Sequence, residues 1–367
     1  MMTSKERMLV ALARGKPDRL PVTIHQWQTY HLNTFMGGVD QLEAFRIVGL
    51  DASYTAHPIR RDPSPQWQYR CADAGRQGNE TLTRHWIETP DGELTWLTGS
   101  NEYTTYNVEH IIKSEHDADI FLRYWPPARL DREQLTREYD RVGDAGIVRG
   151  FVDMFAQPGC WQEFCEMVGT QEAIFWAMDK PQFVHWFLEQ MTQRKLDYIY
   201  REMPDAKYDL IEHGGGAASS TVISPAMFDE FCLPYDRRII AALHEVGYRV
   251  VYHTCGGMMA ILEHIPQNGC DASETLSPPG VGGDIRPEDR DTVREVLGSK
   301  VALIGGMDQG RILTEGTAEE IRAETIALFE TFGKNGGYIC SASDHFFHTP
   351  VENLRAFARA GQQCRYE

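Results

Sequence analysis

The sequence predicts an α/β fold: a single (β/α)8 TIM barrel with an antiparallel β insertion between its second and third strands. Short apolar runs rich in β-branched residues recur along the 367 residues, helical patterns separate most of them, and no linker or internal repeat divides the chain. Eight runs qualify as barrel strands: Leu20 to Ile24, Asp51 to Thr55, Gly146 to Val152, Tyr208 to Glu212, Tyr248 to His253, Asp271 to Glu274, Val301 to Ile304 and Gly337 to Cys340. One domain over residues 1–367 is expected, since barrels with insertions reach this length.

Between the second and third of these runs, residues 64 to 112 break the rhythm. Strand patterns containing Thr and Trp flank a turn at Thr89-Pro90-Asp91-Gly92, which marks an antiparallel excursion. An insertion on a βα loop belongs over the active-site end, as a lid, a partner surface or decoration. Farther along, helices are announced by their caps. Ser224-Pro225 puts an N-cap before a proline at the first helical position, and Thr317-Ala318-Glu319-Glu320 is a capping box. Thr349-Pro350-Val351-Glu352 combines both devices. After Lys180, Val184, Phe187, Leu188 and Met191 recur at helical spacing and form one core-facing stripe.

Hydrophobic residues at 42% and charged residues at 24% suit a chain that buries a sizeable core. Thirty-six basic against 53 acidic residues leave a net charge of −17, so the average surface repels nucleic acid and anionic lipid. Met1 to Leu9 is polar, and no run of about 18 apolar residues occurs, so neither a secretion signal nor a membrane span is expected and the location expected is cytoplasmic. Eight scattered cysteines make no disulfide framework and leave free thiols or metal ligands.

Tyr252-His253-Thr254-Cys255-Gly256-Gly257 closes the strand that begins at Tyr248. Residues two apart on an extended segment share a side, so His253 and Cys255 can face one metal ion at the C-terminal strand end, where barrels keep their chemistry. Alone, a His-x-Cys is a weak signal. Cys340, ending the last strand in Gly337-Tyr338-Ile339-Cys340-Ser341, is available as a further soft ligand, or is simply a small buried hydrophobe. Cys71, Cys160, Cys165, Cys232, Cys270 and Cys364 lack such placement and are read as buried hydrophobes. Polar groups also stand at expected strand mouths: His25, Glu212, His213, Glu274, Asp308, Asp344 and His345. Of these, His25, Glu212, Glu274 and Asp308 are the candidates for substrate binding, and Glu212 or Glu274 could complete a metal sphere. The run from Gly214 to Ser220 permits close backbone approach but matches no phosphate loop.

The segment Ser4-Lys5-Glu6-Arg7 through Arg14-Gly15-Lys16-Pro17-Asp18-Arg19-Leu20-Pro21 resembles the N-terminal segment of uroporphyrinogen decarboxylase-like proteins. Ile223-Ser224-Pro225 with Phe228 and Leu233-Pro234-Tyr235, then Ile304-Gly305-Gly306-Met307-Asp308, then Thr349-Pro350-Val351-Glu352-Asn353, resemble further landmarks of that superfamily in the expected order. The superfamily holds tetrapyrrole decarboxylases and cobalamin-linked methyltransferases such as the methylcobamide:coenzyme M enzymes. The resemblance to the second branch implies a zinc ion held by His253, Cys255 and Cys340 with one open position, as in catalytic zinc sites. It implies methyl transfer between a corrinoid and a small thiol or methylated substrate. Zinc would then hold a thiol as thiolate or polarise the heteroatom of a methyl donor. The corrinoid is expected as a separate corrinoid protein or free cobalamin, since the chain ends at Glu367 soon after the last helix. The alternative is a decarboxylase-like lyase acting on a carboxylated substrate, with Arg60 and Arg61 as anchors. Against it, the segment Ile24-His25-Gln26-Trp27-Gln28-Thr29-Tyr30 lacks the arginines with which the decarboxylases meet a polycarboxylate.

Overall fold

The computed structural model describes residues 1–367. Eight strands make one parallel sheet: β1 (Val22–Thr23), β2 (Ala52–Thr55), β3 (Gly146–Gly150), β4 (Leu210–Gly214), β5 (Val250–His253), β6 (Ala272–Thr275), β7 (Ala302–Met307) and β8 (Tyr338–Ala342). Their order runs β1-β8-β7-β6-β5-β4-β3-β2. The Asp51 N–H donates to the Val22 carbonyl at 2.9 Å and joins the two ends, so the sheet is a nearly closed (β/α)8 barrel. All eight runs read from the sequence are strands, with no end displaced by more than three residues.

Strand alternation sorts side chains into two layers. Ile147, Leu210, Val251, Ala272, Ala302, Ile304 and Ile339 point inward and meet Met8, Ala11 and Leu12 of the first helix, Ser4–Leu12. That helix forms an apolar floor. Arg7 ties it down by donating to Asp18 at 2.8 Å and to Asp51 at 2.8 Å, and Arg19 grips the same Asp51 at 3.0 Å. Outward-facing residues join the helices in a second, much larger core, to which Val184, Phe187, Leu188 and Met191 of the helix Pro181–Glu202 contribute as the stripe required.

The insertion is a four-stranded antiparallel sheet of Gln68–Gln77, Glu80–Thr89, Gly92–Ser100 and Thr105–Glu109, with the turn at Pro90-Asp91 where expected. It is bound to the main core through buried Ile87 and Leu94. Its first strand is exposed throughout, so Cys71, read as a buried hydrophobe, is corrected to an exposed one. A short antiparallel pair, Ile59–Arg61 with Ala128–Leu130, was not foreseen. Ser224 and Thr317 cap as read. Thr349 does not. Its hydroxyl is engaged by Thr314 at 2.7 Å, and the helix Val351–Gln363 starts without a side-chain cap.

Candidate active site

At the C-terminal ends of the strands, His25 after β1, Glu212 on β4, His253 on β5 and Glu274 on β6 converge within the barrel mouth. One ligand atom from each lies within 4.8 Å of the other three, and all four residues are buried. The His253 ring nitrogen Nδ1 is 2.9 Å from Glu274 Oε1 and 3.8 Å from Glu212 Oε1. His25 Nδ1 is 3.6 Å from Glu274 Oε1, with no hydrogen-bond partner of its own. The His25 and His253 rings stand 4.8 Å apart.

Beneath the carboxylates lies Arg149 of β3, 2% exposed. It donates to Glu212 Oε2 at 2.7 Å and to both oxygens of Glu274, at 2.6 and 3.0 Å. A guanidinium there fixes the orientation of both carboxylates by forked hydrogen bonds. Burial would raise the Glu274 pKa, but Arg149 and the two imidazoles outweigh it and hold it well below the usual carboxylate range. For His253, burial opposes the charged ring. Cys255, Glu274 and Glu212 overcome that and raise its pKa well above the ordinary value. Two carboxylates against one guanidinium leave an excess negative charge, which a proton on His253 or a bound cation satisfies.

The cluster opens into a cavity of about 360 Å³ whose walls include His25, His57, Glu212, His253, Cys255 and His345. No lysine or arginine lines it. Cys255 sits at its edge, half-buried. Gly216 is needed beside it, because a Cβ there would stand 2.7 Å from Cys255 Sγ. Gly214, at φ +103°, turns the chain out of β4 toward the same point. His57 and His345 keep much of their surface exposed to the open cavity, yet the protein packed around each still tips it toward the neutral imidazole.

The structure therefore unites His253, Cys255, His25, Glu212 and Glu274, and corrects other expectations. Cys340 does not reach the mouth. It follows inward-facing Ile339 on β8 and so points outward, fully buried in the outer core, where burial pushes its thiol pKa up. His213 likewise faces outward and bonds Asp236 at 2.7 Å, which also accepts from Tyr252 at 2.7 Å. Asp308 caps the turn Gln309–Thr314, accepting from Gly310 and Arg311 at 2.9 Å, and does not line the cavity. Asp344 and His345 do line it. Arg149 escaped the sequence reading, although a charge inside the apolar strand Gly146-Ile147-Val148-Arg149-Gly150 was its signal, since such a charge persists only when paired.

The profile of the uroporphyrinogen decarboxylase (URO-D) family matches residues 154–364, more than half of the chain. The chain belongs to the URO-D family. Within it, two kinds of relative are found. One is a methylated-thiol–coenzyme M methyltransferase of Methanosarcina mazei, 26% identical over 53% of this chain and 48% of its own. Another from that organism, the methylcobamide:CoM methyltransferase MtbA, is 22% identical over 99% of each chain. A uroporphyrinogen decarboxylase of Psychromonas ingrahamii is 28% identical over 63% of this chain and 61% of its own. The chain thus spans about half the length of the first of these and under two thirds of the decarboxylase. A solved methyltransferase from Methanosarcina mazei superposes over 99% of both chains with a TM-score of 0.67 at 16% identity, a likeness of fold.

Proposed function

We propose that this URO-D family chain is a zinc-dependent methyltransferase, moving a methyl group between a corrinoid and a small thiol or methylated substrate. The observation that carries this is the buried His25, Glu212, His253 and Glu274 cluster facing an open cavity. Two imidazoles and two carboxylates, with the Cys255 thiol at the edge, are a donor set suited to a borderline ion such as zinc. The unpartnered His25 Nδ1 fits the same reading, since a buried ring nitrogen without a partner costs free energy unless something occupies it. His253, Glu212 and Glu274 would hold the ion, with His25 and Cys255 as the remaining candidates. Cys340, turned outward, is not among them.

A zinc ion there would supply the charge that stabilises a substrate thiolate or polarises the heteroatom of a methyl donor. The residues of the chain do the rest. Arg149 keeps both carboxylates aimed at the mouth, and His57 and His345 line the cavity as uncharged rings. The excess negative charge and absence of lysine or arginine at the mouth disfavour a polycarboxylate there, which weighs against the decarboxylase alternative. Tyr30, Tyr103 and Phe347 cluster with ring centres 4.7 to 6.4 Å apart in tilted and T-shaped pairs, an aromatic patch that an incoming corrinoid, free or protein-borne, would meet.

Metal analysis of protein purified without chelator tests the reading together with a visible-spectrum assay of cob(I)alamin and methylcobalamin against methylated donors and thiols. About one zinc per chain and donor- or thiol-dependent interconversion of the two spectra are expected. Protein free of transition metal that neither binds added zinc nor changes either spectrum would overturn it.

A further inference from the structure

A second cavity, of about 320 Å³, lies between the turn Gln309–Thr314 that follows β7 and the segment Phe346–His348 that follows β8. It is separate from the mouth cavity, and His345 is the one residue that lines both. Its walls are tied together. The Thr314 hydroxyl donates to the Gln309 carbonyl at 2.7 Å and accepts from the Thr349 hydroxyl at 2.7 Å, which clamps the turn to the end of the facing segment. His31 fixes that end from within the core, with Nε2 2.7 Å from the Thr349 carbonyl. Tyr103 of the insertion packs against the segment, its ring centre 5.2 Å from Phe347 and 5.5 Å from His348. A cavity held on three sides in this way is formed before any ligand arrives.

One buried polar side chain in its wall is left without a partner. Gln309 is 7% exposed, and its Oε1 accepts no hydrogen bond. A buried acceptor in that state costs free energy, which a ligand bringing an N–H donor recovers. The Gln309 amide also carries donors beside that oxygen, and the group that answers an acceptor and a donor at once is another amide. Phe347 and His348 add ring surface to the lining and Val281 aliphatic surface, which suit a flat apolar body. Glu315 is the carboxylate of the lining and no lysine or arginine joins it, so an anion finds no counter-charge there.

We infer that this cavity is a ligand site for an uncharged planar ring carrying a carboxamide, with the amide paired to Gln309 and the ring against Phe347 and His348. The inference stands apart from the methyl-transfer reading, because none of His25, Glu212, His253 and Glu274 lines this cavity.

Isothermal titration of the full-length protein with benzamide, acetophenone and benzoate tests it. Acetophenone keeps the ring and the carbonyl but has no N–H donor, and benzoate lacks the donor and adds a charge. Benzamide should bind at least about tenfold more tightly than either. Gln309→Met, close in volume and without hydrogen-bonding groups, should reduce benzamide to the level of acetophenone. Val281→Trp, a change at a half-buried loop position that the fold tolerates, should fill the cavity and abolish benzamide binding. The preference should survive in His253→Ala, whose metal chemistry would be impaired, so failure of the functional reading and failure of this one are read separately. Three results would overturn the inference: equal affinities for benzamide and acetophenone, no benzamide binding up to about 10 mM, or a preference that persists in Gln309→Met or Val281→Trp or vanishes in His253→Ala.

Discussion

Replacing Arg149 by methionine isolates the electrostatic foundation of the site. The guanidinium stands 2.7 Å from Glu212 and 2.6 Å from Glu274, and each contact is worth on the order of 6 kcal/mol of gross attraction at an effective dielectric of about 20. Most of that offsets desolvation of the three groups. What mutation exposes is the cost of leaving two carboxylates buried without their cation, about 3–5 kcal/mol. Chemical unfolding of metal-free protein at pH 7.5, followed by far-ultraviolet dichroism, should therefore show Arg149→Met less stable by about that amount. The pH dependence has a definite sign. Glu274 has its pKa lowered in the fold, so the stability it contributes is present above its unfolded value and lost as pH falls toward the folded one. The gap between wild type and variant should accordingly narrow as the pH falls through the ordinary carboxylate range. Zinc should act in the opposite direction to the mutation. With Arg149 gone, a dication restores the missing charge, so saturating zinc should stabilise the variant more than the wild type. A loss under about 1 kcal/mol in metal-free protein, or a smaller zinc effect in the variant, would refute the view that Arg149 neutralises a cation-ready pair.

Three other outcomes follow from the same structure. Cys255→Ser should weaken zinc binding about 10- to 100-fold, whereas Cys340→Ser should leave it unchanged, as equilibrium dialysis of each variant would show; loss of zinc in Cys340→Ser would return that thiol to the site. Leu94→Ala, at a position 1% exposed within the inserted sheet, should cost about 2–5 kcal/mol in the same unfolding assay; a cost near zero would mean the sheet is not part of the core. Glu163, fully buried 2.7 Å from Lys195, has its pKa raised by burial to about 7. The folded chain then binds its proton more tightly than the unfolded chain, so stability should fall as pH rises from about 4.5 to about 7, by roughly 3 kcal/mol. Glu163→Gln should flatten that window, and a wild-type profile with no decline between these limits would contradict the shift.

Much of the barrel was legible because its strands are short and buried on both sides, so they appear as apolar β-branched runs between capped helices. Tyr248 to His253 and Val301 to Ile304 carry that pattern strongly enough to survive small errors at the ends. The pair Ile59–Arg61 and Ala128–Leu130 did not show, because strands of three residues, one of them with two adjacent arginines, are too short to leave a periodic signal. Thr349 misled for a related reason. A Thr-Pro-x-Glu pattern specifies a local bond, yet a hydroxyl also bonds whatever tertiary partner is nearer, and Thr314 is.

The site was legible only as far as strand parity could be kept. His253 and Cys255 follow one another at an interval of two, and both meet the cavity. Glu212 and Glu274 were visible as polar residues at strand ends, and they converge because a closed barrel brings such ends together. Cys340 was placed by chemical type and approximate position, but a shift of one residue on a strand moves a side chain to the opposite face. Ile339 takes the inward place and Cys340 the outward one. The same rule separates His213 from Glu212, its immediate neighbour. Arg149 shows the complementary gap. From sequence it is a lone charge in a strand, and only the fold supplies the two carboxylates, 63 and 125 residues away, that make it the support of the site.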